Sequence, residues 1–407
     1  MLFLYLKFLN NKQRMKPIYY TLIASALLLV SCKKEEAYLA ENIPILKEHN
    51  VLEDKPYSVP FKTLEPEYIL EKGHLVEEFF HKHIKKDPNF SGSFLVAKNG
   101  QIIYEEYQGY SNKSKNEVLT ENTPIHVASV GKVITAVTTL RLVDEGFLYL
   151  DQSVSSILPE FPHEDITVRM LLNHRSGLRY YGYYDNTIWD KSKTITNQDV
   201  LDIISTKKVS LDFIPNKKFT YCNTNYVILA LIVEKITGDT FKKAVKDLVF
   251  DPLQMSHSFV FDNIEKKNEV CQSYSASNRQ MHWDYMDGTY GDKNIYTNPR
   301  DMLKLDTALY SDQFLSPALK EQMFKGYSYE TKGKRNYGLG FRLIEMDNGH
   351  NYTFHNGWWR GNTTSYIRLE QDSVSIILFA NKYSKLSYKT IDLAHHFGDY
   401  KVGDLDL

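Results

Sequence analysis

The order of apolar and polar positions divides the chain into stretches of different kinds. Residues 18–30 form a short apolar run. From 33 to about 65 the chain is polar and interrupted by Pro44, Pro56 and Pro60, the pattern of a tether. Between 67 and 86 the apolar residues Ile69, Leu70, Leu75, Val76, Phe79, Phe80 and Ile84 recur at helical spacing and predict an amphipathic helix. Residues 93–97 and 101–107 read as strands joined by Lys98-Asn99-Gly100, and Asn-Gly between such runs signals a hairpin. The clearest helix is 129–145, where Val130, Val133, Ile134, Val137 and Leu140 make one stripe and Gly146 is placed to end it. Residues 150–300 are mixed, with helices such as 225–237. Strand patterns return at 351–355, 363–369 and 374–380, and the residues around Ala394 suggest a closing helix. No fixed-period repeat is present.

Strands at both ends and helices between them predict one sheet built from distant chain segments, with the middle inserted as a second, mostly helical lobe. That is an α+β fold, and the cleft between the lobes is the natural place for a site. The expected organisation is 1–31 as a signal peptide, 32–66 as a tether, 67–400 as the domain and 401–407 as a tail.

Bulk composition narrows the function classes. With 407 residues, 43% hydrophobic and 24% charged, the chain is globular in type. A net charge of -1 offers nothing to a nucleic-acid partner. The three cysteines, Cys32, Cys222 and Cys271, make neither a disulfide framework nor a Cys-x-x-Cys zinc pair. His81-Lys82-His83 and His395-His396 lack a third ligand at a useful spacing, so no metal or other cofactor is expected.

The apolar run is too short for an ordinary transmembrane helix and fits a signal-peptide core. Leu29-Val30-Ser31-Cys32 at its end looks like a bacterial lipobox, whose cysteine is lipidated after cleavage. Met15 followed by Lys16 makes a better signal-peptide start than Met1. The expectation is a lipoprotein of the bacterial cell envelope, anchored through Cys32, facing the periplasm or the cell surface.

The candidate chemistry begins at Ser129-Val130-Gly131-Lys132. A serine at a helix start sits where free backbone N–H groups favour negative charge. Lys132 lies one turn on along the same face. A lysine amine takes a proton from serine only while neutral, a form that burial favours. Ser-x-x-Lys alone is weak, since Ser31/Lys34 and Ser205/Lys208 also match. The surrounding text is more specific. PIHVASVGKVITAVTTLRLVDEGFLYLDQSVSSILPEF, followed by ITVRMLLNHRSGL, resembles the serine β-lactamase and penicillin-binding superfamily, nearest its class C branch with esterase and D-aminopeptidase relatives. Tyr221-Cys222-Asn223 before an apolar helix matches that family's Tyr-x-Asn. His355-Asn356-Gly357 at a strand end matches its Lys/His-x-Gly. Tyr110, Tyr184, Tyr296, His396-Phe397-Gly398 and Lys401-Val402-Gly403 fit the same short patterns without the flanking elements. The resemblance covers about residues 67–400.

The resemblance implies an antiparallel sheet flanked by helices and a set of roles. Ser129 would form an acyl-enzyme, Lys132 would take its proton, and Tyr221 would serve the leaving group and later the water. Asn223 would orient the substrate amide or the lysine. The backbone N–H groups of Ser129 and Trp358 would hold the oxyanion. His355, beside Gly357, could contact Tyr221 or a substrate carboxylate. It stands where true β-lactamases carry lysine, and a histidine is only partly charged near neutrality. Arg175 replaces a small polar residue, and Cys222 occupies a position usually held by Ser or Ala. A thiol nucleophile at Cys222 has no histidine beside it in any motif. The expected function is a serine hydrolase acting on an ester, a D-amino-acid peptide or amide, or a cell-wall-related substrate. A β-lactamase, or a binding protein without turnover, is the alternative. Substrate identity and oligomeric state are not legible.

Overall fold

The pairing of the first strands with the last ones sets the architecture. In the computed structural model, which describes Tyr57 and residues 59–86, 90–207 and 209–401, the hairpin β1 (Gly92–Lys98) and β2 (Gln101–Gln108) turns on Asn99 and Gly100. Both turn residues have positive φ, 52° and 70°, as a tight Asn-Gly turn requires. The chain adds further strands to this sheet only after 330. There it makes β3 (Arg335–Tyr337), β4 (Arg342–Ile344), β5 (Tyr352–Trp359), β6 (Asn362–Leu369) and β7 (Val374–Ala380). The sheet order is β2-β1-β7-β6-β5-β4-β3, antiparallel throughout. The expected α+β fold class is therefore present. The signal peptide at 1–31, Cys32, nearly all of the tether and nearly all of the tail lie outside the described residues.

Helix α1 (Pro66–Phe79) packs on one face of the sheet through Val76 and Phe79, with Leu75 beside them, whereas Leu70 of the predicted stripe is exposed. It continues as a π-type turn, Phe80–Ile84, that buries Phe80 against Phe90 and Phe94. The closing helix is a run of 3₁₀ turns, Lys385–His396.

Helix α2 (Gly131–Asp144) is entered through a 3₁₀ turn, Ala128–Val130, so Ser129 lies in that turn, two residues before the α-helix. Nearly every residue of α2 is buried, which explains why its stripe is wide. Helix α3 (Thr224–Thr237) is equally buried and ends on Gly238 with φ 71°.

The Ser129 turn is gripped from three sides. Ile125–His126 pairs with Ile295–Thr297 in a small second sheet, and the Val127 N–H continues it to Ile295 O at 3.0 Å. From β6, the Thr364 hydroxyl donates to Val127 O at 2.8 Å. From β5, Gly357 lies so close that a Cβ there would stand 2.7 Å from Val127 O and 3.0 Å from the Ala128 methyl. Ala128 itself has φ 49°, a left-handed conformation that costs a non-glycine residue about 1–2 kcal/mol.

The Gly357→Ala variant should be destabilised by about 1–3 kcal/mol, the usual cost of forcing extra volume into a packed contact. Denaturant unfolding with the wild type in parallel would measure it. An unchanged midpoint would contradict this packing.

Candidate active site

The grip on the turn leaves Ser129 open to solvent on one side while Lys132 is driven inward. Ser129 is partly exposed and Lys132 is completely buried. The Lys132 Nζ donates to Ser129 Oγ at 3.0 Å and to the main-chain oxygen of Asp292 at 2.6 Å. The Asp292 carboxylate does not turn toward this lysine. It accepts instead from the Tyr181 hydroxyl at 2.8 Å and pairs with Lys293 at 3.2 Å, both buried. Burial pushes the Lys293 amine down from its ordinary value, and its pairing with Asp292 works the other way. The network thus fixes the carbonyl on which Lys132 rests.

Tyr221 comes from the loop before α3. Its ring lies 5.2 Å from Lys132 Nζ. Its hydroxyl is buried and has no hydrogen-bond partner among the described residues. Asn223 is the residue before α3, yet its side chain makes no capping hydrogen bond. Its Oδ1 is also buried without a partner among the described residues, and its side chain lies against the Tyr180 hydroxyl. An unpaired buried polar atom costs about 1–3 kcal/mol. Two of them side by side in one loop mark a place shaped for something other than the chain itself.

Gly357 abuts the Ser129 turn, which brings the Trp358 main chain next to it, while the Trp358 side chain is 59% exposed. The structure corrects the role foreseen for His355. Its ring is fully buried; Nδ1 donates to Asn356 O at 2.8 Å and Nε2 accepts from the Tyr337 hydroxyl at 3.1 Å. Both nitrogens are engaged. Burial, then Arg342 and Lys132, hold its pKa well below the ordinary value. A neutral, fully bonded imidazole is no carboxylate anchor; the other contact foreseen, to Tyr221, is present as a tilted ring pair with centres 6.1 Å apart.

Two other departures prove structural. Arg175 is clamped by Asn216, Ser328 and Glu330. Cys222 is buried, its thiol donates to Leu178 O, and burial pushes its pKa up to about 11. Such a thiol stays protonated and hidden, so the nucleophile reading of Cys222 loses its basis.

Sequence reasoning missed His174, Tyr337 and Arg342. His174 accepts at Nδ1 from the Cys222 N–H (3.2 Å) and the Asn225 amide (3.0 Å), and its ring lies 4.4 Å from that of Tyr221. It sat in full view in LLNHRSGL. Tyr337 and Arg342 flank Gly338-Leu339-Gly340, and the two glycines were the available signal. A Cβ on Gly340 would meet the Ala136 methyl at 2.4 Å, so this turn must press onto α2.

A family model described as Beta-lactamase matches residues 79–396. The chain belongs to this family. It is 30% identical over 330 residues to penicillin-binding protein 4* of Bacillus subtilis (strain 168), across 77% of this chain and 72% of that one. It is 27% identical over 256 residues to the teichoic acid D-alanine hydrolase of Staphylococcus aureus (strain NCTC 8325 / PS 47), across 62% of each. The crystal structure of the D-amino acid amidase from Ochrobactrum anthropi SV3 matches with a TM-score of 0.61 at 23% identity, covering 76% of this chain and 92% of that one. The sheet and its helices are thus the β-lactamase fold, shared with hydrolases.

This β-lactamase-family site holds three fully buried histidines, His126, His174 and His355, and burial lowers the pKa of each, that of His126 to about 3. In the unfolded chain each titrates near 6.5. Below that pH the unfolded state binds protons that the native state refuses, so stability is full above about 6.5 and falls as pH drops toward 3. For His126 the loss should be roughly 2 kcal/mol at pH 5, and His174 and His355 add losses of the same sign. Urea midpoints between pH 6.5 and 5 should therefore decline, less steeply in His355→Gln. A flat profile would contradict this.

Proposed function

We propose that the chain is a serine hydrolase that forms an acyl-enzyme on Ser129 and removes D-aminoacyl groups from esters or amides. The observation that carries this reading is the 3.0 Å contact between Lys132 Nζ and Ser129 Oγ. Among the described residues no carboxylate pairs with that amine. In its neutral form the amine takes the hydroxyl proton as Oγ bonds to the acyl carbon. The N–H groups of Ser129 and Trp358 hold the oxyanion. Tyr221, whose hydroxyl is otherwise unpartnered, delivers a proton to the leaving oxygen or nitrogen as its bond to carbon breaks and takes one in turn from the Lys132 ammonium, so that both groups are reset. Water then attacks the acyl ester, returns a proton to Ser129, and frees the acid. Two relatives whose names specify D-alanine and D-amino acid support the acyl group. The unpaired Asn223 Oδ1 is an acceptor suited to the ammonium of such a group.

Ser129→Ala should abolish turnover of D-alanyl esters and labelling by a fluorescent penicillin or phosphonate, with the fold intact by circular dichroism. Tyr221→Phe should slow turnover by about 10²–10⁴-fold. Labelling without turnover of any D-aminoacyl ester or amide would instead make this a binding protein.

We also infer that Cys32 carries lipid and holds the domain at the cell envelope, periplasm-facing or surface-exposed. The apolar run ending in Leu-Val-Ser-Cys supports this. Intact-mass analysis of membrane-extracted protein should find a diacylglycerol adduct at an N-terminal Cys32. A soluble form starting elsewhere would refute it.

A further inference from the structure

The Ser129 and Trp358 N–H groups come from segments far apart in the chain, and each segment contains a left-handed residue, a conformation its surroundings must enforce. Ala128 has φ 49° beside Ser129, and Arg360 has φ 42° two residues after Trp358. Both segments are tied to one residue, Asp287. On the β5 side the Trp359 Nε1–H donates to Asp287 Oδ1 at 2.6 Å, and the Arg360 guanidinium pairs with the same carboxylate at 2.9 Å. On the serine side the tie is a chain of hydrogen bonds. His126 Nδ1 accepts from the Ala128 N–H at 3.1 Å, so Nε2 carries the hydrogen of the neutral imidazole and donates to Asn294 Oδ1 at 3.0 Å. The Asn294 amide donates in turn to the main-chain oxygens of Asp287 at 2.7 Å and Thr289 at 2.9 Å. His126, Asn294 and Asp287 are all buried.

We propose that Asp287 is a positioning residue that fixes the span between the Ser129 and Trp358 N–H groups, an inference that rests on the hydrolase function proposed above. Gly357 lies against Val127 O and Ala128, so the two segments cannot come closer. The Thr364 hydroxyl holds Val127 O, one end of the Val127–Ala128 peptide. His126 holds the N–H at the other end, and with it the plane from which the chain continues into Ser129. Trp358 stands between Gly357, packed on that turn, and Trp359, bonded to Asp287. Gly357 thus keeps the two segments from closing, and the relay through Asn294 and Asp287 keeps them from drifting apart. An oxyanion is stabilised only by donors already set at hydrogen-bond distance from it. A hole that widens therefore loses rate while ground-state binding is kept.

The test uses two variants and a pair of D-alanyl esters that differ only in carrying C=O or C=S at the reacting carbon. Sulfur is larger and a weaker hydrogen-bond acceptor, so a well-set hole favours the oxygen ester. Trp359→Phe keeps a ring in place and the Arg360 pair, and removes one donor to Asp287. Asn294→Ala cuts the serine side of the relay. In each variant kcat for the oxygen ester should fall by about 10- to 100-fold with KM little changed. The oxygen-to-sulfur ratio of kcat should fall with it, because the sulfur ester gains little from the hole at the outset. A loss of stability alone would lower the urea midpoint and leave that ratio as it was. A ratio unchanged in either variant overturns the proposal. If Asn294→Ala does not fold, Trp359→Phe decides alone. Absence of wild-type turnover on any ester counts against the hydrolase reading instead. The rate at which a fluorescent penicillin acylates Ser129 then takes the place of kcat, and a rate unchanged in either variant overturns the proposal.

Discussion

The contact of strand β5 with the Val127–Ser129 turn is the constraint on which the site depends. Gly357 has no side chain because the main chain of the turn occupies that space. A strained Ala128 and the Thr364 hydrogen bond hold the other side of the same junction. Ser129 is aimed by these contacts rather than by the helix that follows it. Lys132 is aimed by α2 and by the Asp292 carbonyl, a separate support. Ser129 and Lys132 are therefore positioned by two independent pieces of structure that meet at 3.0 Å.

Much of the fold was legible because its signals are local and repeated. The Asn-Gly hairpin, the stripes of α1 and α2, and the three long strands β5, β6 and β7 follow from spacing alone. Strands β3 and β4 were not legible. Each has three residues, too short to show alternation, and their pairing is fixed by β5 rather than by their own sequence. The closing helix was placed correctly but not as 3₁₀ turns. In the site, Ser129, Lys132, Tyr221 and Asn223 stood out because they fall in motifs with flanking elements. His355 was located correctly, yet its charge state could not be inferred, since that depends on burial and on Tyr337 and Asn356 as partners. Arg342 escaped notice because nothing in a sequence shows which arginine will lie over the Tyr221 ring.

The electrostatics of the cleft follow a simple division. Histidines on its inner wall are neutral through burial and serve as hydrogen-bonding struts, His174 for the Tyr221–Asn225 loop and His126 for the Ala128 N–H. Positive charge is left to Lys132 and Arg342, which flank the Tyr221 ring. The Asp292 carboxylate, in the same region, is paired with Lys293.

The closure of the sheet has a consequence for biogenesis. Gly92 pairs with Ala380 and Lys98 with Val374. A nascent chain that ends before residue 351 already contains Ser129, Lys132 and Tyr221, but β1 has no neighbour on its inner edge and the turn has no β5 to rest against. Pairings between such distant segments form slowly, because the long intervening loop must close before any contact rewards it. The site is therefore assembled late, after synthesis is nearly complete. Loss of the final strands would leave every chemical group in place and remove the surface that brings them into register.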